Sequence, residues 1–277
     1  MNHKTDIAMS RYLRLIMFLC AVCMFMSCSS VALTGRKRVL LYSDSEITSL
    51  ADQSYNELMT TAKISGNREQ AAMISEVGAR LVAAFTKYLE SQGQADVLNG
   101  INWSFQLVED NQVNAFCMPG GKVVFYEGIM PLLTTPDLIA VVMGHEMAHA
   151  VARHGNERMS QQALSSIVGG VTGDIVQMKT SENGRLLFDA AFAVGTQYGY
   201  LLPYSRKHEY EADEIGLYIM AIAGYDITQA PLLWTRMSEN KSQSVPEFMS
   251  THPSDSNRIK NLEKHMDRAR KIAAQVK

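Results

Sequence analysis

Three things are scarce in this chain of 277 residues, and each scarcity closes off a class of function. There is no surplus of positive charge. Lys and Arg number 26 against 28 Asp and Glu, so no basic excess is available to neutralise phosphates, and a nucleic-acid partner is not expected. Cysteine is sparse: Cys20, Cys23, Cys28 and Cys117 are the four. If Cys20 and Cys23 leave with a processed leader and Cys28 carries lipid, only Cys117 remains as a thiol. That excludes an intramolecular disulfide and a cysteine-rich zinc site. Long apolar runs are also lacking. Residues 157 to 200 are rich in Ala, Gly, Val and Leu, but Gly169-Gly170, Gly173 and Gly184 interrupt them. They fall short of the roughly twenty residues of a membrane span and read as buried or cleft-flanking helices.

What is present begins with a leader. Lys4, Arg11 and Arg14 precede an unbroken apolar stretch from Leu15 to Met26, about a dozen residues long, which is the length of a signal-peptide core. Ser27-Cys28 follows and resembles the lipobox of a bacterial lipoprotein, with Cys28 as the lipidated residue. An uncleaved membrane anchor is the alternative. The chain then divides into a signal at 1–27, a lipidated tether at 28–42 and a domain at 43–277, long enough for an ample core.

Within the domain the elements are mainly helical. Ser43-Asp44-Ser45-Glu46 reads as a helix start, with acidic residues at the positive end of the dipole. That first helix runs to Ala62. A second runs from Glu69 to about Leu89, with Ile74, Val77, Leu81, Val82 and Phe85 at helical spacing. After Gly100 the pattern alternates. Strands are expected over 101–108, 113–118 and 122–126, with turns at Asp110-Asn111 and Pro119-Gly120-Gly121. Together they make a small antiparallel sheet. The fold class is therefore α+β, mainly helical, with that sheet beside the helix carrying the central motif.

The motif is His145-Glu146-Met147-Ala148-His149, on a helix opened by Thr135-Pro136-Asp137. No Pro or Gly falls between His145 and His149, and residues four apart share a helix face. Both imidazoles can therefore address one point, as two ligands of a tetrahedral zinc ion must. Glu146 is placed to act as general base on water at an open position. A chance match on an amphipathic helix is the competing reading of five residues alone.

A catalytic zinc site needs a third protein ligand. A histidine six residues after His149 would complete one known arrangement, but Gly155 stands there. His154, one residue early and about 100° around the helix, reads as a capping or solvent-side side chain. The segment Ser205 to Gly216 offers better chemistry. Glu209 and Asp213 are four apart, so Glu209 can ligate while Asp213 accepts the N–H of a ligand histidine. Glu211 and Glu214 read as solvated charges, and His208 as lying behind the ligands or at the surface. A purely charged helix face is the bland alternative, and it leaves the two histidines without a third partner.

Asn114-Ala115-Phe116, Pro119-Gly120-Gly121, the His145–His149 motif, Ser205-Arg206, Glu209 to Asp213, Ala223-Gly224-Tyr225 and His252-Pro253 occur in a telling order. Over about residues 40 to 270 they resemble the zinc metallopeptidase family of the CAAX prenyl endopeptidases, the HtpX heat-shock proteases and the soluble periplasmic BepA-type proteases. The resemblance implies one zinc ion per chain, ligated by His145, His149 and Glu209, with Glu146 as base and Asp213 behind a ligand. Asn114, Ala115 and Phe116 would be the strand that holds an extended substrate. His252 would either stabilise the oxyanion or act as a removable zinc ligand; a plain loop histidine is the third reading.

Lacking the spans of the membrane members, the chain resembles the periplasmic lipoprotein branch. The implied role is quality control of unfolded or misassembled envelope proteins from a bacterial outer-membrane position facing the periplasm. The implied partners are those substrates, the membrane through lipid on Cys28, and the outer-membrane assembly machinery. The rival reading is a chaperone-like assembly factor whose zinc is structural or latent.

Overall fold

The structure, a computed structural model, describes residues 28–168, 205–239 and 256–276, together with Phe188, Phe248 and His252. The expected signal at 1–27 and most of the Gly-interrupted stretch from 169 to 204 lie outside these residues. Among the described residues no helix is long and apolar enough to cross a membrane.

The chain enters through two short antiparallel strands, β1 (Cys28–Ser30) and β2 (Lys37–Val39). This is the segment expected as a tether, and it is packed onto the domain. Arg38 is buried and donates to Ser29 Oγ and to the Ala152 carbonyl. Helix α1 (Asp44–Thr61) starts where its capping box predicts: the Ser43 hydroxyl accepts from the Glu46 N–H, and the Glu46 carboxylate accepts from the Ser43 N–H. Helix α2 (Arg68–Ser91) buries Ile74, Val77, Leu81 and Phe85 along one stripe, as their spacing requires.

Strands β3 (Ser104–Val108), β4 (Ala115–Met118) and β5 (Lys122–Tyr126) form the sheet in the order β3-β5-β4. The β4–β5 hairpin is antiparallel as expected, and it turns through Gly120 and Gly121 at φ of +80° and +86°, values that favour glycine. β3 does not extend this into a meander; it pairs parallel with β5. Alternation identifies a strand but not its partner, and the difference matters because it leaves β4 at the edge of the sheet.

Behind β4 lies α3 (Pro136–Val151), capped by the Thr135 hydroxyl and with Pro136 in its first turn. It is buried on nearly every side, so it is a core helix rather than an amphipathic one. Helix α4 (His154–Val168) follows after a sharp corner at Arg153. Helix α5 (Arg206–Ile222) starts at a Ser205 cap and ends before Gly224, at φ +74°. Helices α6 (Gln229–Glu239) and α7 (Ser256–Ala273) close the far side.

The crossing of α3 and α5 sets the distance between the two halves of the motif. It is made by Gly144 against Gly216: a Cβ on Gly216 would lie 2.9 Å from the Gly144 carbonyl carbon and from the His145 nitrogen. Backbone of a buried helix cannot give way as a side-chain tip can. Gly216→Ala gains about 1 kcal/mol of helix propensity, but overpacking costs about 1–3 kcal/mol. The expected result is net destabilisation, read by urea denaturation, with weaker zinc binding as α5 is pushed away from His145.

Candidate metal centre

Four buried donors converge where α3 meets α5. His145 Nε2 and His149 Nε2 are 3.1 Å apart. Glu209 places Oε2 3.4 Å from His145 Nε2 and Oε1 3.4 Å from His149 Nε2. His252 Nδ1 lies 3.2 Å from His145 Nε2 and 3.1 Å from Glu209 Oε1. Zinc–ligand bonds of about 2.0–2.1 Å in a tetrahedron separate neighbouring donors by ~3.3 Å. The measured separations match that edge, and the donor set is one that zinc prefers, so the residues present fit the ion.

The proton positions fit as well. His145 Nδ1 is 2.9 Å from Asp213 Oδ1, and an ionised carboxylate can only accept. The proton is therefore on Nδ1, and the lone pair of a neutral His145 is on Nε2, facing the cluster. Asp213 is gripped in turn by Arg258, whose Nε donates to Oδ2 at 2.6 Å and Nη2 to Oδ1 at 2.7 Å. Arg258 Nη1 also lies 3.0 Å from Glu209 Oε2, and the guanidinium stacks 3.9 Å over the Trp234 ring. Arg258 is fully buried, so its charge is matched by the two carboxylates rather than by water.

Burial holds the His149 ring neutral, with its pKa well below the usual value. Burial also opposes a charge on His145, but the Asp213 hydrogen bond and then Glu209 outweigh it and raise that pKa. A bound dication would displace the proton, because only the neutral ring ligates. For Glu209, burial favours the neutral acid, yet the neighbouring His252 and Arg258 hold its carboxyl well below the ordinary range.

Glu146 sits between this cluster and the sheet edge. Its Oε2 accepts the Cys117 N–H of β4 at 3.1 Å. Its Oε1 makes no hydrogen bond among the described residues and lies 3.4 Å from His252 Nε2. Burial pushes its pKa up to about 7, with the Glu209 charge adding to the effect. A carboxyl poised there can take up and release a proton near neutrality.

β4 presents the expected substrate strand. The Tyr126 N–H bonds the Asn114 carbonyl, so by ladder alternation the outward amides belong to Ala115 and Cys117. Phe116 is half-buried against Tyr126. The sites expected from the sequence thus come together: His145, Glu146, His149, Glu209, Asp213, His252 and the 114–116 strand.

Two expectations need correction, and for His208 the inner of its two expected places is the one taken. His154 is wholly buried, not at the surface; it lies 2.9 Å from His149, Nδ1 to Nδ1. Glu211 is buried too, accepting from His154, Thr34 and Arg36. His208 is buried, stacked on His154 and 3.3 Å from Glu157. Periodicity assigns these side chains to an outer face. That face is covered by the β1–β2 segment and α4, which no local pattern reports. Arg258 escapes sequence reasoning altogether. The available signal is an arginine six residues after His252, at the start of an amphipathic helix and complementary to an Asp–Glu pair.

The fold and this constellation define a zinc metallopeptidase: a His-Glu-x-x-His helix crossed by a second helix that brings a glutamate and a histidine-orienting aspartate. The peptidase family M48 pattern matches residues 87–266, and the chain belongs to that family. It is 34% identical over 207 residues to the mitochondrial metalloendopeptidase OMA1 of Schizosaccharomyces pombe, covering 71% of this chain and 58% of that protein. It is 29% identical over 248 residues to the mitochondrial metalloendopeptidase OMA1 of Homo sapiens, covering 87% and 46%. It is 26% identical over 199 residues to the beta-barrel assembly-enhancing protease of Escherichia coli, covering 69% and 40%. The chain thus spans about half the length of these curated relatives. The family is one of peptidases, and the buried donors His145, His149, Glu209 and His252 are a set suited to its zinc.

The bacterial outer-membrane address expected from residues 15–28 is overturned by these relatives, the more similar of which are mitochondrial. A positive start and a short apolar run are shared by addresses of different kinds, so composition alone cannot choose. Cys28 itself is paired, backbone to backbone, with Val39.

Proposed function

We propose that the chain is an endopeptidase acting on extended segments of unfolded or misassembled proteins, with His145, His149 and Glu209 as zinc ligands, Glu146 as general base and His252 as a plug in the resting state. The convergence of four buried donors, with a Glu146 oxygen alongside that has no hydrogen bond among the described residues, carries this reading. When bound, zinc supplies a Lewis acid that activates water and the scissile carbonyl. Glu146 takes the proton of the attacking water through Oε1 and delivers it to the leaving amine. The Cys117 N–H keeps the other oxygen in place.

An extended chain lying along the outer edge of β4 would bond through the outward carbonyls of Ala115 and Cys117, since their N–H groups are taken by Asn114 Oδ1 and Glu146 Oε2. Beside His149 and Cys117 a cleft walled by Ile47, Ile101, Pro119 and Ala150 supports binding of an apolar side chain next to the cut bond. Unfolded segments supply both features; folded surfaces rarely do.

Catalytic zinc sites keep one position for water, and His252 would hold that position if zinc were bound by His145, His149 and Glu209. Phe248 donates its N–H to the Val113 carbonyl and accepts the His252 N–H on its own carbonyl, which ties His252 to the chain just before β4. The plug favours a latent resting form over transition-state help by His252.

Casein cleavage by the wild type and by His252→Ala, with chelator and with zinc restored, tests the reading. Cleavage should depend on zinc and rise several-fold in His252→Ala. Lower activity with zinc retained would instead assign His252 to the oxyanion. Binding of unfolded protein with no cleavage by either form would favour the chaperone-like alternative.

A further inference from the structure

We infer that His154 is the positioning residue for His149, and that Arg36 makes the N-terminal segment a working part of the metal site. The inference deepens the proposed function, because it takes His149 as a ligand.

The two motif histidines are oriented differently. His145 has a carboxylate directly behind it; His149 has another imidazole. The direction of each hydrogen bond follows from what each group can do. Glu211 is an acceptor only, and it takes Thr34 Oγ1–H at 2.5 Å, Arg36 Nε–H at 2.6 Å and His154 Nε2 at 2.9 Å. His154 therefore carries its proton on Nε2, and its Nδ1 is an acceptor. That Nδ1 faces His149 Nδ1 at 2.9 Å, so His149 donates from Nδ1 and keeps its lone pair on Nε2. Nε2 is the nitrogen aimed at His145 and Glu209. Three links thus select the one tautomer of His149 that can ligate.

The far end of the array is pinned from outside the matched family region. Arg36 also grips both oxygens of Glu157, at 2.8 Å and 2.6 Å, and Glu157 lies 3.3 Å from His208. His208 stacks on the His154 ring with centroids 4.5 Å apart, which fixes its plane. Arg36 thus holds the two carboxylates that hold the two histidines behind His149.

Zinc affinity of the full chain, measured by competition with a chromophoric chelator, tests this directly. His154→Phe keeps a ring of similar size and removes the acceptor; zinc binding should weaken by about 10–100-fold. His154→Asn places an amide oxygen near the Nδ1 position and should recover most of that loss. The cobalt(II) form should show a d–d spectrum that shifts in His154→Phe and returns towards wild type in His154→Asn. Arg36→Met should weaken binding in the same direction, with the secondary structure intact by circular dichroism. Wild-type zinc affinity in both His154→Phe and Arg36→Met, or an Asn variant no better than Phe, would overturn the proposal. If instead the wild type binds no zinc, or His149→Ala binds it unchanged, the ligand assignment itself fails.

Discussion

Glu146→Gln is expected to reduce casein cleavage by about 10²–10⁴-fold while the zinc content stays at the wild-type level. The side chain keeps its shape, and its one remaining oxygen can still accept the Cys117 N–H, so the edge strand and the fold are undisturbed. What disappears is the basic oxygen, Oε1, which has no hydrogen-bond partner among the described residues. The metal should remain because none of the converging donors belongs to Glu146. The wild type should also lose activity on the acid side, as protonation removes the base. Burial places that limb near pH 7 in the metal-free site, and a bound dication would draw it lower. Loss of zinc together with activity would mean that Glu146 serves the metal rather than the proton.

The largest expected effect on stability is that of Arg258→Met. Methionine keeps the aliphatic stem but removes the guanidinium that stacks on Trp234 and bridges Asp213 and Glu209. Both carboxylates are buried and held ionised. Breaking such a pair strands charge in a low-dielectric interior and costs about 3–5 kcal/mol. Zinc supplies positive charge to the same carboxylates and binds only the folded chain, so the deficit should be greater in chelator than with zinc present. Urea denaturation in both conditions measures this. Equal losses with and without zinc would show that Arg258 acts through packing alone.

Part of the site is legible from residue spacing alone. His145 and His149 are four apart on one helix, and so are Glu209 and Asp213; helical periodicity then decides what each pair can face. The Ser43 and Thr135 caps and the Gly120-Gly121 turn are equally readable, because their chemistry is local. The pairing of β3 is not. A strand's alternation is the same whichever neighbour it joins, and only the parallel pairing exposes the β4 edge to Glu146. The partners that cross the whole chain are hidden as well. Arg36 meets Glu211 and Glu157, and Arg258 meets Asp213, through tertiary packing that covers faces which look solvated in sequence. His154 shows the same point most sharply. Its position one residue before Gly155 speaks only against a ligand on the motif helix, not for a place behind one.

Zinc K-edge X-ray absorption on the purified chain, with metal quantified per chain, is the most direct check of the central claim. The account predicts one zinc ion with nitrogen and oxygen neighbours at about 2.0–2.1 Å and no sulfur. A sulfur neighbour at about 2.3 Å, or cleavage that persists in a chain holding no metal, would contradict it.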